Sequence, residues 1–126
     1  MQRRTCLATL AGAGAALAAP AANPIQLHVD LDVDPAKEKD LVAAFRKVFR
    51  PAISKQPGFV SVRLLKFRQA IVGAAPANAP YRLLISFQTE EQRQTWVASD
   101  DHQRAWPAIE ATLKGSNVTA VLYDTV

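Results

Sequence analysis

A strict alternation of apolar and polar residues runs from Ile25 to Val33, in the segment IQLHVDLDV. Every second position is Ile, Leu or Val, and each position between them is Gln, His or Asp. Successive side chains of a β-strand point to opposite faces of a sheet, so this pattern predicts a strand with one apolar and one polar face. The chain must therefore form a sheet, and its other elements must cover the apolar side.

A long helix is predicted directly after this strand. Asp34 is a favourable N-cap and Pro35 suits the first helical position, so the helix is expected over about residues 35–54. Pro51 lies inside this pattern and is expected to kink the helix or to end its regular part, because proline has no backbone N–H to donate.

Three further strands are predicted, over residues 59–67, 81–87 and 118–126. An Ala- and Pro-rich loop, residues 69–80, separates the first two. The order of elements is then strand, helix, strand, strand, helix pair, strand. This order predicts an α+β fold, the ferredoxin-like split βαβ sandwich, with a four-stranded antiparallel sheet and helices on one face.

The helix pair precedes the last strand. Thr89 and Gln92 form a capping box that begins a helix reaching about Ala98. Ser99 or Asp100 caps a second helix, which Pro107 is expected to restart and Gly115 to close. The buried stripe of this second helix is expected to comprise Trp106, Ile109 and Leu113.

The two faces of the predicted sheet differ in character. The face toward the helices is apolar and is supplied by Leu27, Val29, Leu31, Leu83, Ile85 and Phe87. The opposite face is polar and carries His28, Asp30, Asp32, Arg82, Ser86 and Gln88. The first and third strands are expected to be central neighbours, so the acids of one can pair with the arginine of the other. This polar face is either exposed to solvent or packed against a second copy of the chain.

The amino terminus has the pattern of a secretory signal peptide. Arg3 and Arg4 precede a short apolar run that ends in small residues, and this run is too short to span a bilayer. Residues 1–18 are therefore expected to be removed on export to the periplasm or medium, through the general or the twin-arginine route. Residues 19–24 form a short linker, and residues 25–126 form one domain.

Removal of the signal changes what the composition implies. The single cysteine, Cys6, leaves with it, so neither a disulfide nor thiol chemistry is expected. Without Arg3 and Arg4 the 15 basic residues become 13, against 11 acidic ones. A balance this close to neutral does not favour nucleic acid as a partner, and no further segment could enter a membrane.

The stretch TWVASDDHQRAW, residues 95–106, holds both tryptophans and one of the two histidines. Trp96 and Trp106 are expected to anchor two consecutive helices in the core, and His102 follows the Ser99 cap by three residues. His102 could bond only local backbone, or its near-neutral pKa could make it a proton acceptor.

These residues resemble the antibiotic biosynthesis monooxygenase (ABM) domain. The likeness is carried by QPGFVSVRLL, by YRLLISFQTEEQ and by the W-x-x-S-x-x-H pattern of Trp96, Ser99 and His102, and it extends over residues 25–126. Members form homodimers in which two sheets face each other as a dimeric α+β barrel. The resemblance implies that the polar face is the dimer interface, formed by His28, Asp30, Asp32, Arg63 and Arg82, with either arginine meeting either aspartate.

The resemblance also implies a function. Characterised members include monooxygenases that oxidise phenolic or quinol-type aromatics without a cofactor, and haem-degrading enzymes. This chain has Trp106 where the haem-degrading members carry their axial histidine, which counts against haem degradation. A pocket between helices and sheet would be walled by Val29, Phe45, Ile85, Trp96 and Trp106, with Trp96 and His102 as the catalytic pair.

No metal is expected, because His28, Asp30 and Asp32 are too sparse a ligand set, and no cofactor is expected either. The expected partners are a second copy of the chain and a small aromatic molecule. The alternative function is a non-catalytic, dimeric periplasmic module that binds an apolar or flat aromatic ligand.

Overall fold

The computed structural model describes residues 23–126, and the predicted signal peptide lies outside this range. Four strands and four α-helices follow one another in these residues: β1 Ile25–Val33, α1 Glu38–Ala44, α2 Arg50–Ser54, β2 Phe59–Lys66, β3 Tyr81–Phe87, α3 Glu90–Ala98, α4 Asp100–Glu110 and β4 Leu113–Asp124. None of the helices in residues 23–126 has the length and apolar character needed to span a bilayer.

The helix predicted over 35–54 is a continuous helical segment with three kinds of turn. Asp34 caps it by accepting a hydrogen bond from the backbone N–H of Ala36 at 2.9 Å, and a 3₁₀ turn, Pro35–Lys37, precedes α1. A π-helical turn, Phe45–Phe49, separates α1 from α2, and within it the N–H of Arg50 donates to the carbonyl of Phe45. Pro51 follows directly and has no N–H to donate. The change from α-helical to π-helical hydrogen bonding therefore occurs next to the proline, where the sequence predicted an irregular helix. Beyond it the helix continues to Ser54.

The four strands form one antiparallel sheet in the order β2-β3-β1-β4, with β1 and β3 at its centre. This order and the helices on one face confirm the ferredoxin-like α+β sandwich. The helix-facing side of the sheet is the core: Leu31, Leu83 and Phe87 are completely buried, and Val29 and Ile85 nearly so. They pack against the long helix and α3 through Leu41, Phe49, Ile53 and Trp96.

The end of α4 differs from the prediction. The helix runs through Pro107 without restarting and stops at Glu110, where the N–H of Ala111 donates to the carbonyl of Pro107. Leu113 begins β4 and pairs with Val33, and Gly115 lies inside the strand. The predicted helix end at Gly115 is therefore wrong, because pairing with the end of β1 draws residues 113–117 into the sheet.

The polar face of the sheet is the outer side, away from the helices. Asp30 stands opposite Arg82 in the register, and the carboxylate accepts from Nε at 2.6 Å and from Nη2 at 3.3 Å. His28 packs on Tyr123 of β4, with ring centroids 4.8 Å apart. The expected cross-strand pairing of acid and arginine is thus present within one chain.

Candidate functional site

The corner between α3 and α4 places the residues of the W-x-x-S-x-x-H pattern together. Ser99 accepts a hydrogen bond from the backbone N–H of His102 at 3.2 Å, which caps α4. The same hydroxyl donates to the carbonyl of Trp96 at 2.7 Å, which closes the end of α3. One serine therefore joins the two helices and sets the distance between the tryptophan and the histidine.

The ring of His102 lies between the two indoles. Its centroid is 5.0 Å from that of Trp96 in an edge-to-face arrangement, with planes at 79°. Trp106, one turn further along α4, stacks on the other side at 6.3 Å and 14°. Trp96 is almost completely buried and also meets the edge of Phe49 at 5.8 Å, so this part of the wall is rigid.

A cavity of about 210 Å³ opens beside this aromatic group, between the helices and the sheet. The structure brings Val29, Ile85, Trp96 and Trp106 to its wall together with His102, as the sequence predicted for these residues. The wall is completed by Leu27, Phe49, Leu83, Val97, Val118 and Ala120. His102 is the only residue in this wall whose side chain can take up a proton.

Phe45 does not line this cavity, and the placement predicted for it is wrong. Its side chain is buried, but it borders a different groove, which lies between the long helix of residues 35–54 and β2. Phe49 takes the predicted place, and the two rings stack at 6.4 Å. Both residues lie on the buried side of the helix, and only its position over the sheet decides which of them reaches the cavity.

The contributions of β4 were not predicted. Val118 and Ala120 line the cavity from the edge strand, and Ala120 pairs with Val29 in the register. The alternation of Val118, Ala120 and Leu122 is the signal that could have found them, since it marks the helix-facing side of the last strand. What the pattern could not show is that helices leave this side of β4 uncovered, with Leu122 44% exposed.

The environment of His102 favours the neutral form of its imidazole. Its Nδ1 atom is buried and has no hydrogen-bond partner in the described part of the chain. Burial lowers the pKa of His102 from its ordinary value, because the apolar surroundings solvate the charged ring poorly. At neutral pH the ring is therefore uncharged and has a nitrogen free for a ligand that donates a hydrogen bond.

The residues predicted for a dimer interface lie apart from this cavity. The hydrogen bond to Asp30 raises the pKa of Arg82, and the pair occupies the outer face. In the strand register Arg63 lies opposite Leu84, and Leu84 lies opposite His28. Arg63 therefore belongs to the same outer face, but it bonds to neither Asp30 nor Asp32. Within residues 23–126 no three potential metal ligands come together, His28, Asp30 and Asp32 included.

Fold and cavity together define a ferredoxin-like α+β protein with an aromatic pocket between its sheet and its helices. Residues 24–108 match the model of one family, described as antibiotic biosynthesis monooxygenase. This match extends over most of the chain, so the protein belongs to that family. No curated protein sequence matches it significantly.

Solved structures of the same fold are similar at low sequence identity. A Caulobacter crescentus protein, provisionally described as an antibiotic biosynthesis monooxygenase, has a TM-score of 0.67 and 18% identity, covering 82% of this chain and 91% of its own. A dimeric ferredoxin-like protein from a Jannaschia species has a TM-score of 0.64 and 17% identity, covering 82% and 98%. A point mutant of SnoaB, a cofactor-independent oxygenase from Streptomyces nogalater, has a TM-score of 0.61 and 16% identity, covering 82% and 92%.

Proposed function

We propose that this protein is an oxygenase that oxidises a small phenolic or quinol-type aromatic without a bound metal or flavin. The observation that carries the proposal is that Nδ1 of His102, in the wall of an otherwise apolar cavity, has no hydrogen-bond partner among residues 23–126. Family membership supports oxygenation, and SnoaB is a cofactor-independent oxygenase of similar fold. An acidic O–H is the ligand group that a neutral imidazole in such a wall would select.

The volume of the cavity supports a ligand with one aromatic ring. An apolar protein cavity of about 150 Å³ holds benzene. The cavity beside His102 is about 210 Å³, which leaves room for one ring with small substituents. Trp96 and Trp106 offer flat surfaces for that ring, and Val29 and Ile85 form the floor.

The reaction needs only a base and a dry site, because the substrate supplies the electrons. His102 takes the phenol proton, and the phenolate passes one electron to O₂, giving a phenoxyl radical and superoxide. In a phenol that carries hydrogen at the para carbon, these combine at that carbon, forming a C–O bond. Loss of the hydrogen on that carbon as a proton, with cleavage of the O–O bond, leaves a quinone and water. One phenol and one O₂ are thus converted into one quinone and one H₂O.

The second candidate is a non-catalytic module that binds an apolar or flat aromatic ligand. The cavity wall favours this second function because, apart from His102, the side chains that line the cavity are hydrocarbon or indole. Such a wall holds an aromatic ring and gives it one hydrogen bond, which is sufficient for binding. Oxygen consumption therefore distinguishes the two functions.

Oxygen uptake with a panel of monocyclic phenols and hydroquinones tests the proposal. We expect wild type to consume O₂ with at least one of them, also after chelator treatment, and His102→Ala to lose most of the rate. Glu110→Ala is the control, since this exposed residue of the same helix lies outside the cavity wall and outside the outer face of the sheet. If none of the tested compounds supports oxygen uptake, the binding module is favoured. Unchanged oxygen uptake in His102→Ala would remove the histidine from the mechanism.

We also propose that the protein acts as a homodimer joined through the outer face of the sheet. Leu65, Val121 and Tyr123 expose apolar surface there, around the Asp30–Arg82 pair. Similar structures from a Jannaschia species and Thermobifida fusca are described as dimeric. Packing the outer faces of two copies against each other would remove the apolar surface of these three side chains from water.

Light scattering tests this interface. Asp30→Lys combined with Asp32→Lys is expected to shift the protein to monomer, because it places four additional positive charges on two facing sheets. Asp40→Lys combined with Glu91→Lys makes the same charge change on exposed helical sites and is expected to remain dimeric. A dimer that persists in the first variant would contradict the interface.

We further propose that residues 1–18 direct export and are then removed. The motivation is the charged start, the short apolar run and the small residues before Pro20. Amino-terminal sequencing of protein recovered from the periplasm should begin at Ala19. Recovery of the uncleaved chain in the cytoplasm would contradict the proposal, and Arg3→Lys with Arg4→Lys would block only the twin-arginine route.

A further inference from the structure

A groove of about 510 Å³ runs between the long helix and β2, and it shares no lining residue with the His102 cavity. Its helical wall is formed by Val42, Phe45, Arg46 and Arg50. Its other wall is a run of five consecutive residues of β2, from Val62 to Lys66. A wall of consecutive strand residues means that the groove follows the strand over about 13 Å or more, at about 3.3 Å per residue.

The groove carries an excess of positive charge. Arg46, Arg50 and Arg63 form no ion pair with any carboxylate in residues 23–126. Lys66 bonds Glu38 at 3.1 Å, and that carboxylate also accepts from the hydroxyl of Tyr81 at 2.7 Å. The acid beside the groove is therefore already engaged. Because Arg63 belongs to the outer face of the sheet, the guanidinium groups of Arg46 and Arg50 are the two that remain for an anionic ligand in the groove.

The position of β2 indicates what kind of ligand fits. β2 is an edge strand, so within residues 23–126 the backbone groups along its free edge have no partner strand. An extended peptide can add to such an edge while its side chains occupy a flanking groove, a mode in which backbone hydrogen bonds provide affinity. The floor of this groove is apolar, with Val42, Phe45 and Leu64, and can receive the side chains on one face of an added strand.

The spacing of the helical arginines matches an extended chain. Arg46 and Arg50 are four residues apart, and residues at this spacing lie roughly 5–6 Å apart on a helix surface. Side chains on one face of an extended peptide recur about every 6.6 Å. The guanidinium of Arg50 is held 5.5 Å above the ring of Phe45, at the edge of the floor. Two carboxylates on alternate residues of a peptide would therefore meet one arginine each.

We propose that this groove binds an extended acidic peptide segment, with carboxylates on alternate residues, which adds as a strand to the free edge of β2. Charged side chains on an edge strand also discourage aggregation of sheets, and that role accounts for Arg63 and Lys66. It does not account for Arg46 and Arg50, which lie on the helix. The proposal is independent of the oxygenase activity, since the two sites have separate walls.

Fluorescence anisotropy with a labelled peptide of alternating Asp and Val tests the proposal. Arg46→Glu combined with Arg50→Glu is expected to weaken binding by about tenfold or more, from the loss of two charge-assisted contacts. Lys39→Glu combined with Lys47→Glu makes the same charge change on exposed sites of the same helix, outside the groove, and should retain most of the affinity. Equal losses in both variants, or no binding by wild type, would overturn the proposal.

N-methylated peptides separate strand addition from attraction between charges. Methylation of alternate amides along one edge of the peptide should abolish binding, and methylation along the other edge should be tolerated, because an added strand bonds through one edge only. Equal tolerance on both edges would indicate a simple anion site and overturn strand addition. A change of oligomeric state in the Arg46→Glu, Arg50→Glu variant without peptide would assign the groove to a second copy instead.

Discussion

His102 and Trp106 stack with their ring planes at 14° and their centroids 6.3 Å apart. The residues are one turn apart on α4, so the helix itself holds the imidazole against the indole. Trp96 closes the other side from α3. The single titratable side chain of the cavity wall is thus fixed between two aromatic groups. Its Nδ1 atom is buried and finds no hydrogen-bond partner in the described part of the chain, and its chemistry depends on that burial.

Stability should depend on pH through His102. Burial lowers its pKa below the ordinary 6.5, so between these two values the unfolded chain binds a proton that the folded chain does not. The free energy of unfolding should therefore fall as the pH decreases below about 6.5. Urea unfolding from pH 5 to 8 should show a steeper fall for wild type than for His102→Phe, which keeps an aromatic ring but cannot titrate. Parallel curves would mean that His102 is protonated equally in both states.

Filling the cavity should remove ligand binding without unfolding the protein. Ala120 is the small residue on the cavity side of β4, so Ala120→Phe places a ring in the space beside Val29. We expect oxygen uptake and aromatic ligand binding to fall by about tenfold or more, as for loss of at least 1.4 kcal/mol of binding. Leu122→Phe is the control, because it adds a ring on the same face outside the cavity wall. Full activity in Ala120→Phe would place the substrate elsewhere.

The two tryptophans should differ in their contribution to stability. Trp96 is 2% exposed and packs on Phe49, so Trp96→Ala should lower the free energy of unfolding by about 3–5 kcal/mol. Trp106 is only half-buried in the cavity wall, so Trp106→Ala should lower the free energy of unfolding by less and act mainly on ligand binding. Chemical denaturation measures both losses, and equal losses would contradict this division.

Gly58 should be required at the turn before β2. Its φ of 81° is in the left-handed region, and a Cβ added there would overlap the side chain of Gln92. That glutamine forms the capping box of α3 with Thr89. Gly58→Ala should therefore lower the free energy of unfolding by about 1 kcal/mol more than Gly73→Ala. Gly73 is the control, because it has a similar φ of 82° but lies in open space, so its substitution disturbs no helix cap. Equal losses in thermal unfolding would mean that Gln92 moves aside freely.

Much of the fold could be predicted because its signals are local. The alternation from Ile25 to Val33 specifies a strand and its two faces, and Thr89, Gln92 and Ser99 specify where two helices begin. Each signal acts through neighbours in the chain, by backbone direction or by a side chain that bonds a nearby amide. The pairing of Asp30 with Arg82 follows as well, once the order of elements makes β1 and β3 neighbours.

The site depended on contacts between distant residues. Phe45 and Phe49 are equivalent in helical periodicity, and only the docking of the helix on the sheet brings Phe49 to the cavity. Gly115 is a helix-ending residue by type, yet pairing of Leu113 with Val33 places it in a strand. Periodicity was sufficient to predict which face of β1, β3 and the long helix is buried, whereas β4 leaves its helix-facing side largely exposed. Tertiary structure alone decided which buried side chains leave a space between them, because packing of distant elements, unlike periodicity, depends on their relative positions.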